Sequence, residues 1–208
     1  MILNWIRRKK QARGHDVHSP FAYQLITDVI HEKHGYNVFS DIEETLSDYY
    51  IETYQQLHHL SYRLVKHFKP QNVLEIESGK GINTLYICAA DENIRCRCFE
   101  ENKQESILAE NLIIGNKNKN IRLIDEIDDS DKYDAIFVYL NTFPIDIEIL
   151  LSMSTNNTFW VLTGIGSGNG KRFWNRIVKD KRVRVTFNLK DIGIAVLNES
   201  YHKENYLV

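Results

Sequence analysis

Apolar residues change their spacing near residue 70, and this change divides the chain into two parts. Before it, residues 21–30 and 50–68 carry apolar side chains three and four positions apart, as in helices with one buried face. After it, short apolar runs alternate with helical patterns. We therefore predict an N-terminal helical extension over residues 1–68 that packs on a sheet-containing domain over residues 69–208, the two forming one structural unit.

Local signals predict where the N-terminal helices begin. Ser19 is a natural N-cap, and Pro20 fits the first position of the helix that follows. Ser40 or Asp41 can cap the second helical region. In residues 1–15 the apolar side chains precede the basic ones, which predicts a short amphipathic or frayed helix.

The second part of the chain alternates between strands and helices. The predicted strands are 73–76, 94–100, 121–124, 133–140, 158–162, 183–189 and 192–197, and the predicted helices between them are 82–90, 103–114 (closed by Gly115), 145–153 and one around 173–178. The last two strands are too close together for a parallel crossover, so they must form an antiparallel hairpin. The pattern predicts an α/β, Rossmann-like doubly wound sheet of seven strands that ends in this hairpin.

Composition excludes several classes of protein. A chain of 208 residues with 43% apolar residues suits one domain without metal or disulfide staples. The formal net charge of -2 argues against a general binder of nucleic acid or anionic membranes, and no run approaches the ~20 apolar residues of a membrane span. Cys88, Cys96 and Cys98 form no CxxC pair. We therefore expect a reduced, cytoplasmic protein without membrane contact.

Two glycines and an acid lie where the first two strands end. Gly79 and Gly81 follow the first strand and open a helix, where glycine lets the backbone approach a ligand. Glu100 ends the second strand, where a carboxylate can accept hydrogen bonds from both hydroxyls of a ribose. The combination predicts an adenosine-containing ligand at this edge of the sheet.

The surrounding residues distinguish between adenosine ligands. A nicotinamide-dinucleotide fingerprint requires a third glycine where Thr84 stands. Instead, the series Glu75, Glu77, Gly79 and Gly81, at alternate positions, resembles the E/D-x-G-x-G-x-G motif of class I S-adenosylmethionine-dependent methyltransferases. Their seven-stranded sheet also ends in an antiparallel hairpin.

The resemblance extends over most of the chain. GHDVHSPFAY at 14–23 and YRLVKHFKPQNVLEI at 62–76 resemble a group of bacterial O-methyltransferase-like proteins with an HSPF signature ahead of the domain. This resemblance implies S-adenosylmethionine as the cofactor, positioned by Gly79, Gly81 and Glu100. Glu75 would contact its polar end through backbone or water. Tyr139 and Asn141 would line the reaction side and are the candidate catalytic residues.

The sequence departs from this family at three places. Glu77 replaces the first glycine of the loop and adds a carboxylate close to that of the cofactor: like charges 4 Å apart cost about 1 kcal/mol in water and ~4 kcal/mol near a protein surface. We therefore expect weakened or lost binding, unless Lys80 neutralises Glu77 or its side chain turns outward or attracts the ammonium of the cofactor. Tyr139 to Thr142 replace an aspartate-containing run, and Thr163-Gly164 replace an acidic pair. Because Mg²⁺ and Ca²⁺ need such carboxylates, we expect no metal site.

Two functions are consistent with these residues. One is methyl transfer to an unidentified small-molecule acceptor without a metal. The other is a degenerate active site on the same fold, which then serves as a binding or interaction module. The sequence does not specify the acceptor or the oligomeric state, and His18 is open between the ligand pocket and an N-terminal capping role.

Two further stretches resemble binding motifs. Residues 164–171 are rich in glycine, but Ile165 and Arg172 break the phosphate-loop pattern, so we expect a flexible loop that rims a pocket. Residues 171–184 hold seven cations and one acid. Such a run is more typical of a solvated helix face than of a nucleic-acid site, and we do not expect nucleic acid as a partner.

Overall fold

The computed structural model describes residues 2–47, 55–116, 120–140 and 144–208. Its helices are α1 (Ile2–Gln11), α2 (Pro20–Gln24), α3 (Asn37–Ser47), α4 (Gln55–Phe68), α5 (Ile82–Ala89), α6 (Lys103–Asn116), α7 (Ile147–Ser152) and α8 (Gly168–Lys179), with a π-helical turn at Leu25–Ile30. Within these residues no helix has the length and apolar content to cross a bilayer.

One sheet contains every strand of the described residues. The strands are β1 (Asn72–Ile76), β2 (Arg95–Phe99), β3 (Ile121–Ile124), β4 (Tyr133–Tyr139), β5 (Ser154–Thr163), β6 (Val185–Leu189), β7 (Ile192–Val196) and β8 (Glu204–Leu207). Their order is β3-β2-β1-β4-β5-β7-β6-β8. Strand β7 runs antiparallel to both of its neighbours, and the other pairs are parallel.

Alternation along the central strands builds a core on each face of the sheet. Val73 and Ala135 pack with α4 and the π turn on one face. Their chain neighbours Leu74 and Ile136 pack with α7 and α8 on the other. Because successive side chains of a strand point to opposite faces, a strand covered on both sides is mostly apolar.

The α/β fold class and the C-terminal antiparallel hairpin are confirmed, but the count of seven strands is wrong by one. Residues Glu204–Leu207 form an eighth strand that pairs in parallel with β6 at the edge of the sheet. Only Tyr206 is buried in this strand, because an edge position leaves the other side chains partly exposed. The sequence therefore lacks the apolar alternation from which strands are recognised.

Two boundaries in the helical regions differ from the prediction. Ser19 caps α2 as predicted, and its Oγ accepts a hydrogen bond of 3.3 Å from the amide of Ala22. Helix α3 begins at Asn37, so Ser40 and Asp41 lie inside it and the predicted cap there is wrong. Gly115 lies within α6 rather than beyond its end. Tyr50 and Tyr54 of the predicted apolar stripe fall outside the described residues.

The glycine-rich stretch and the basic run have structural roles. Helix α8 begins at Gly168, so part of the predicted loop is helical. Gly170 packs directly against the carbonyl of Gly164, where a Cβ would collide. In the basic run, Arg182 pairs with Glu148 and Asp180 at 2.6 and 2.7 Å. Its charge is therefore balanced locally.

Candidate functional site at the end of the first strand

The turn between β1 and α5 is held against the end of β2 by backbone hydrogen bonds. The amides of Glu77 and Ser78 both donate to the carbonyl of Phe99, at 2.8 and 3.2 Å. Within the turn, the amide of Gly81 donates to the carbonyl of Ser78 at 3.0 Å. The residues that follow the first two strands thus form one tightly connected edge.

The two glycines of the turn serve different purposes. Both adopt the left-handed conformation, with φ of +56° at Gly79 and +76° at Gly81. A Cβ at Gly79 would meet nothing within 4 Å, so this backbone faces open space. A Cβ at Gly81 would lie 3.3 Å from that of Ala109 on α6. Gly79 therefore leaves room for a ligand, whereas Gly81 lets α6 pack closely.

Glu100 is brought to the turn as the sequence predicts. One carboxylate oxygen accepts a hydrogen bond of 2.6 Å from the amide of Gly79, and the other accepts one of 2.8 Å from the amide of Asn102. Hydrogen bonds to an ionised acceptor are short and strong. The carboxylate lies next to the glycine that faces open space.

Glu77 occupies the same edge in a conformation that favours glycine. Its φ is +61°, which costs a residue with a Cβ about 1–2 kcal/mol. The side chain is only 8% exposed, and one carboxylate oxygen accepts a hydrogen bond of 3.3 Å from the amide of Glu101. The Glu77 side chain therefore reaches the backbone just beyond the end of β2, one residue after Glu100.

Glu75 lies beneath the turn and is fully buried. Its carboxylate accepts hydrogen bonds from Asn83 Nδ2 at 2.8 Å and Thr84 Oγ1 at 2.6 Å, and the hydroxyl of Tyr139 also hydrogen-bonds to it. Burial raises the pKa of Glu75 to about 7, although these hydrogen bonds act in the opposite direction. Glu75 thus joins β1, α5 and β4.

The two candidate catalytic residues, Tyr139 and Asn141, follow one another closely at the end of β4. Burial, together with the neighbouring Glu75, raises the pKa of Tyr139 well above its usual value. Its phenol therefore stays protonated at neutral pH and acts as a hydrogen-bond donor rather than a base. Asn141 lies outside the described residues.

Two polar side chains at the turn have buried atoms without a partner among the described residues. They are Ser78 Oγ and Asn83 Oδ1, in residues that are 5% and 2% exposed. An unsatisfied buried polar atom costs about 1–3 kcal/mol. Both atoms belong to the segment that runs from the turn into the first residues of α5.

One group of side chains has the composition of a metal site. Within the described residues, the ligand atoms of Glu75, Cys96 and Cys98 lie within 4.8 Å of one another, and all three residues are buried. Both oxygens of Glu75 already accept hydrogen bonds, and the two sulfur atoms lie 3.8 Å apart. At the end of β5 the chain has Thr163 and Gly164, neither of which offers a carboxylate.

The sequence pattern predicted that the acids and glycines lie together, but it did not predict Asn83 and Thr84 as hydrogen-bond partners of Glu75. A signal for them was present, because a carboxylate in a strand buried on both faces requires donors nearby. The first residues of the helix after the glycine turn are the nearest ones along the chain. Their polar character in an otherwise apolar helix marks them as partners of Glu75.

No family model matches the chain, and no curated protein matches it, but many solved structures share its fold. A methyltransferase from Geobacter sulfurreducens is 14% identical with a TM-score of 0.62, covering 80% of this chain and 93% of that one. An O-methyltransferase from Bacillus cereus, solved with S-adenosylhomocysteine, is 18% identical with a TM-score of 0.57, covering 83% and 96%.

The third structure holds the cofactor itself. The O-methyltransferase TomG from Streptomyces achromogenes, solved with S-adenosylmethionine, is 12% identical with a TM-score of 0.60, covering 79% of this chain and 91% of that one. At identities this low, structural similarity establishes the fold alone and leaves the activity open. The chain therefore has the Rossmann-like fold of the S-adenosylmethionine-dependent O-methyltransferases.

Proposed function

We propose that this chain binds S-adenosylmethionine at the turn between β1 and α5 and transfers its methyl group to a small-molecule acceptor without a metal. The observation that carries the proposal is the pair of buried atoms Ser78 Oγ and Asn83 Oδ1 at this turn, which have no partner in the part of the chain that the structure describes. A ligand with donor groups, such as an ammonium, would relieve their cost. The open space in front of Gly79 gives that ligand access to the backbone.

Glu100 and Glu75 have different roles in this proposal. Glu100 would accept hydrogen bonds from the ribose hydroxyls, because each of its oxygens retains a lone pair beyond the amide that it already binds. Glu75 would act through Asn83, whose amide it orients at 2.8 Å. S-adenosylmethionine supplies the electrophilic methyl group when bound.

Methyl transfer without a metal is consistent with the strand ends. Tyr139, Thr163 and Gly164 offer no carboxylate at the described ends of β4 and β5, so a hard divalent cation lacks its preferred ligands there. Alignment of a nucleophile with the methyl group is the main requirement of the reaction. Because Tyr139 stays protonated, an acceptor that is already ionised near neutral pH suits this site best.

Glu77 favours a second function, in which the fold is a binding or interaction module with a degenerate active site. Its buried carboxylate binds the amide of Glu101, and its backbone has a left-handed conformation at the position where the motif that the sequence resembles has glycine. A side chain there takes up space at the cofactor turn, and its carboxylate repels that of the cofactor. In this alternative the turn keeps its shape but not its affinity for the cofactor.

Calorimetric titration with S-adenosylmethionine and S-adenosylhomocysteine separates the two functions. We expect micromolar binding by the natural chain and about tenfold tighter binding by Glu77→Gly, which removes the extra carboxylate and the backbone strain. Glu100→Gln should weaken binding at least tenfold. Glu110→Gln, on an exposed position of α6, is the matched control and should change nothing.

The possible results of this titration distinguish between the two functions. No binding by the natural chain but binding by Glu77→Gly would support the degenerate module and contradict the enzyme. No binding by either would overturn the assignment of the turn as a cofactor site. If binding is found, turnover with panels of carboxylates, acidic phenols and acidic thiols should be unaffected by a chelator, and loss of turnover on chelation would contradict the metal-free reaction.

A further inference from the structure

A cavity of about 500 Å³ lies between α1, the π turn, α4 and the turn that joins β6 to β7. Because Ile192 at the start of β7 pairs with Thr163 at the end of β5, this turn is at the same edge of the sheet as Gly79. Four strand spacings separate β1 from β6. The cavity is therefore a separate site, about 19 Å along the edge from the cofactor turn.

The wall of the cavity is largely apolar. Ile30 closes the π turn, Leu60 comes from α4, and Leu189 and Val208 come from β6 and the residue after β8. Trp5 of α1 also lines it and is 62% exposed. A volume of this size and an apolar wall are typical of sites for small molecules.

The polar groups of the cavity are predominantly cationic. Arg8, Lys9, Arg63 and Lys190 line it, and Asp191 is the one acid among its described lining residues. Arg8 is already used, because its guanidinium donates to Asn188 Oδ1 at 2.8 Å and to the carbonyls of Asn188 and Val208. It fastens α1 to the sheet.

Arg63 and Lys190 retain unused donors. Arg63 donates to the carbonyl of Ile30 at 3.3 Å, but its Nε is buried without a partner among the described residues. No acid of the described residues lies within ion-pair distance of Arg63 or Lys190. The pKa of His31, which also lines the cavity, is lowered by burial and by the charges of Arg63 and Lys33. The charge of Glu32 acts on Arg63, but the four cations of the described lining outnumber its one acid, so the site has a net positive charge.

The backbone next to these groups is irregular. Residues Leu25–Ile30 form a π-helical turn, which is rare and occurs frequently at functional sites. The turn ends at Ile30, and both Ile30 and the next residue, His31, line the cavity. The carbonyl of Ile30, at the end of this turn, accepts the hydrogen bond of 3.3 Å from the Arg63 guanidinium.

We propose that this cavity binds an amphipathic anion, in which a carboxylate or phosphate head group contacts Arg63 and Lys190 and an apolar body contacts Leu60, Leu189 and Trp5. Arg63 presents a planar fork of donors that matches either head group. The site is independent of the cofactor turn and does not rest on the proposed function.

Calorimetry on the full chain with octanoate, octyl phosphate and octanol tests the proposal. The two anions should bind at least tenfold more tightly than octanol, which has the same tail without charge, a difference of about 1.4 kcal/mol. Acetate and inorganic phosphate, as heads without tails, should bind more weakly than the full amphiphiles. The tighter of the two anions identifies the head group. Binding should also shift the fluorescence of the exposed Trp5 to shorter wavelength.

Variants assign the contacts. Arg63→Met should weaken octanoate binding about tenfold, and Lys190→Gln, at an exposed turn position, should weaken it in the same direction without disturbing the fold. Arg122→Met is the control: it removes the same charge from an exposed position of β3, at the opposite edge of the sheet, and should leave binding unchanged. Glu77→Gly should also leave it unchanged, since the two sites are separate.

Several results would overturn the proposal. Equal binding of octanol and octanoate would show an apolar site without charge recognition. Equal losses in Arg122→Met and Lys190→Gln would show only non-specific attraction by net charge. The absence of heat and of any change in Trp5 fluorescence with all three amphiphiles would show that the cavity takes no such ligand.

Discussion

The amide of Gly79 donates a hydrogen bond of 2.6 Å to the carboxylate of Glu100, and so connects the turn after β1 to the end of β2. The same carboxylate is the one expected to hold a ribose. It therefore has a structural role in the turn as well as its proposed role toward the cofactor. The second role depends on the first, because a loosened turn would also misplace Gly79.

Replacement of Glu100 by glutamine should loosen the turn. Glutamine keeps one oxygen acceptor but loses the charge and the second acceptor, so we expect a loss of about 1 kcal/mol in the free energy of unfolding. Hydrogen exchange of the Gly79 amide should accelerate by about fivefold. The exposed Glu110→Gln change on α6 is the control, and equal exchange rates in both variants would contradict the role of Glu100.

The two glycines of the turn should respond differently to alanine. Each substitution introduces a Cβ at positive φ, at a cost of about 1 kcal/mol. Gly81→Ala also brings a Cβ within 3.3 Å of that of Ala109, so we expect a total loss of about 2 kcal/mol, against about 1 kcal/mol for Gly79→Ala. Urea unfolding measures both.

A double-mutant cycle isolates the contact with α6. Ala109→Gly removes the opposing methyl group and should recover part of the loss in the Gly81→Ala background but none in the Gly79→Ala background. Identical coupling in the two backgrounds would mean that the helices do not meet at Gly81.

Local patterns were sufficient for most of the fold. The runs of apolar residues predicted β3 and placed β1, β4 and β7 to within a residue at each end, because these strands differ sharply from their polar flanks. Strand β8 was missed because only two of its four residues are apolar and only one is buried. Its position depends on pairing with β6, which is distant along the chain and has no local signal.

The site was predictable in outline for a geometric reason. The carboxyl ends of adjacent parallel strands meet at one edge, so Glu77, Gly79 and Glu100 had to come together once β1 and β2 were recognised. The hydrogen bonds of Glu75 were not predictable, since they depend on the rotation of α5 relative to β1. The packing role of Gly81 likewise depends on where α6 crosses α5, which no local pattern specifies.

His58 should make the fold sensitive to acid. Burial, and secondarily the charge of His59, lowers the pKa of His58 to about 4. A group whose pKa is lowered in the folded state contributes its stability above its ordinary pKa near 6.5, and this stability is lost as the pH falls toward 4. The full loss is about 3 kcal/mol.

The test is a comparison with His58→Phe, which preserves the stacking on Tyr86 and carries no charge. The variant should lose less stability than the natural chain between pH 7 and 4 in urea unfolding. His202→Asn, at an exposed position, is the control. Parallel pH profiles for the natural chain and His58→Phe would contradict the prediction.

Glu75 should produce the opposite pH dependence. Burial raises its pKa to about 7 in the folded chain, above its ordinary value near 4.5. The folded state therefore binds the proton more tightly, so the contribution of Glu75 is fully favourable below pH 4.5 and is lost as the pH rises through 7. The total change is about 3 kcal/mol. Glu75→Gln cannot ionise and removes this dependence.

The free energy of unfolding of the natural chain, relative to that of Glu75→Gln, should fall between pH 5 and pH 8. A difference that stays constant across this range would contradict a raised pKa. Tyr139→Phe provides the matched test of the neighbouring hydroxyl: it removes a donor that favours the carboxylate, so the transition should move to higher pH. Because Glu75 orients Asn83, the affinity for S-adenosylmethionine should change over the same pH range, which would link the buried carboxylate to the proposed cofactor site.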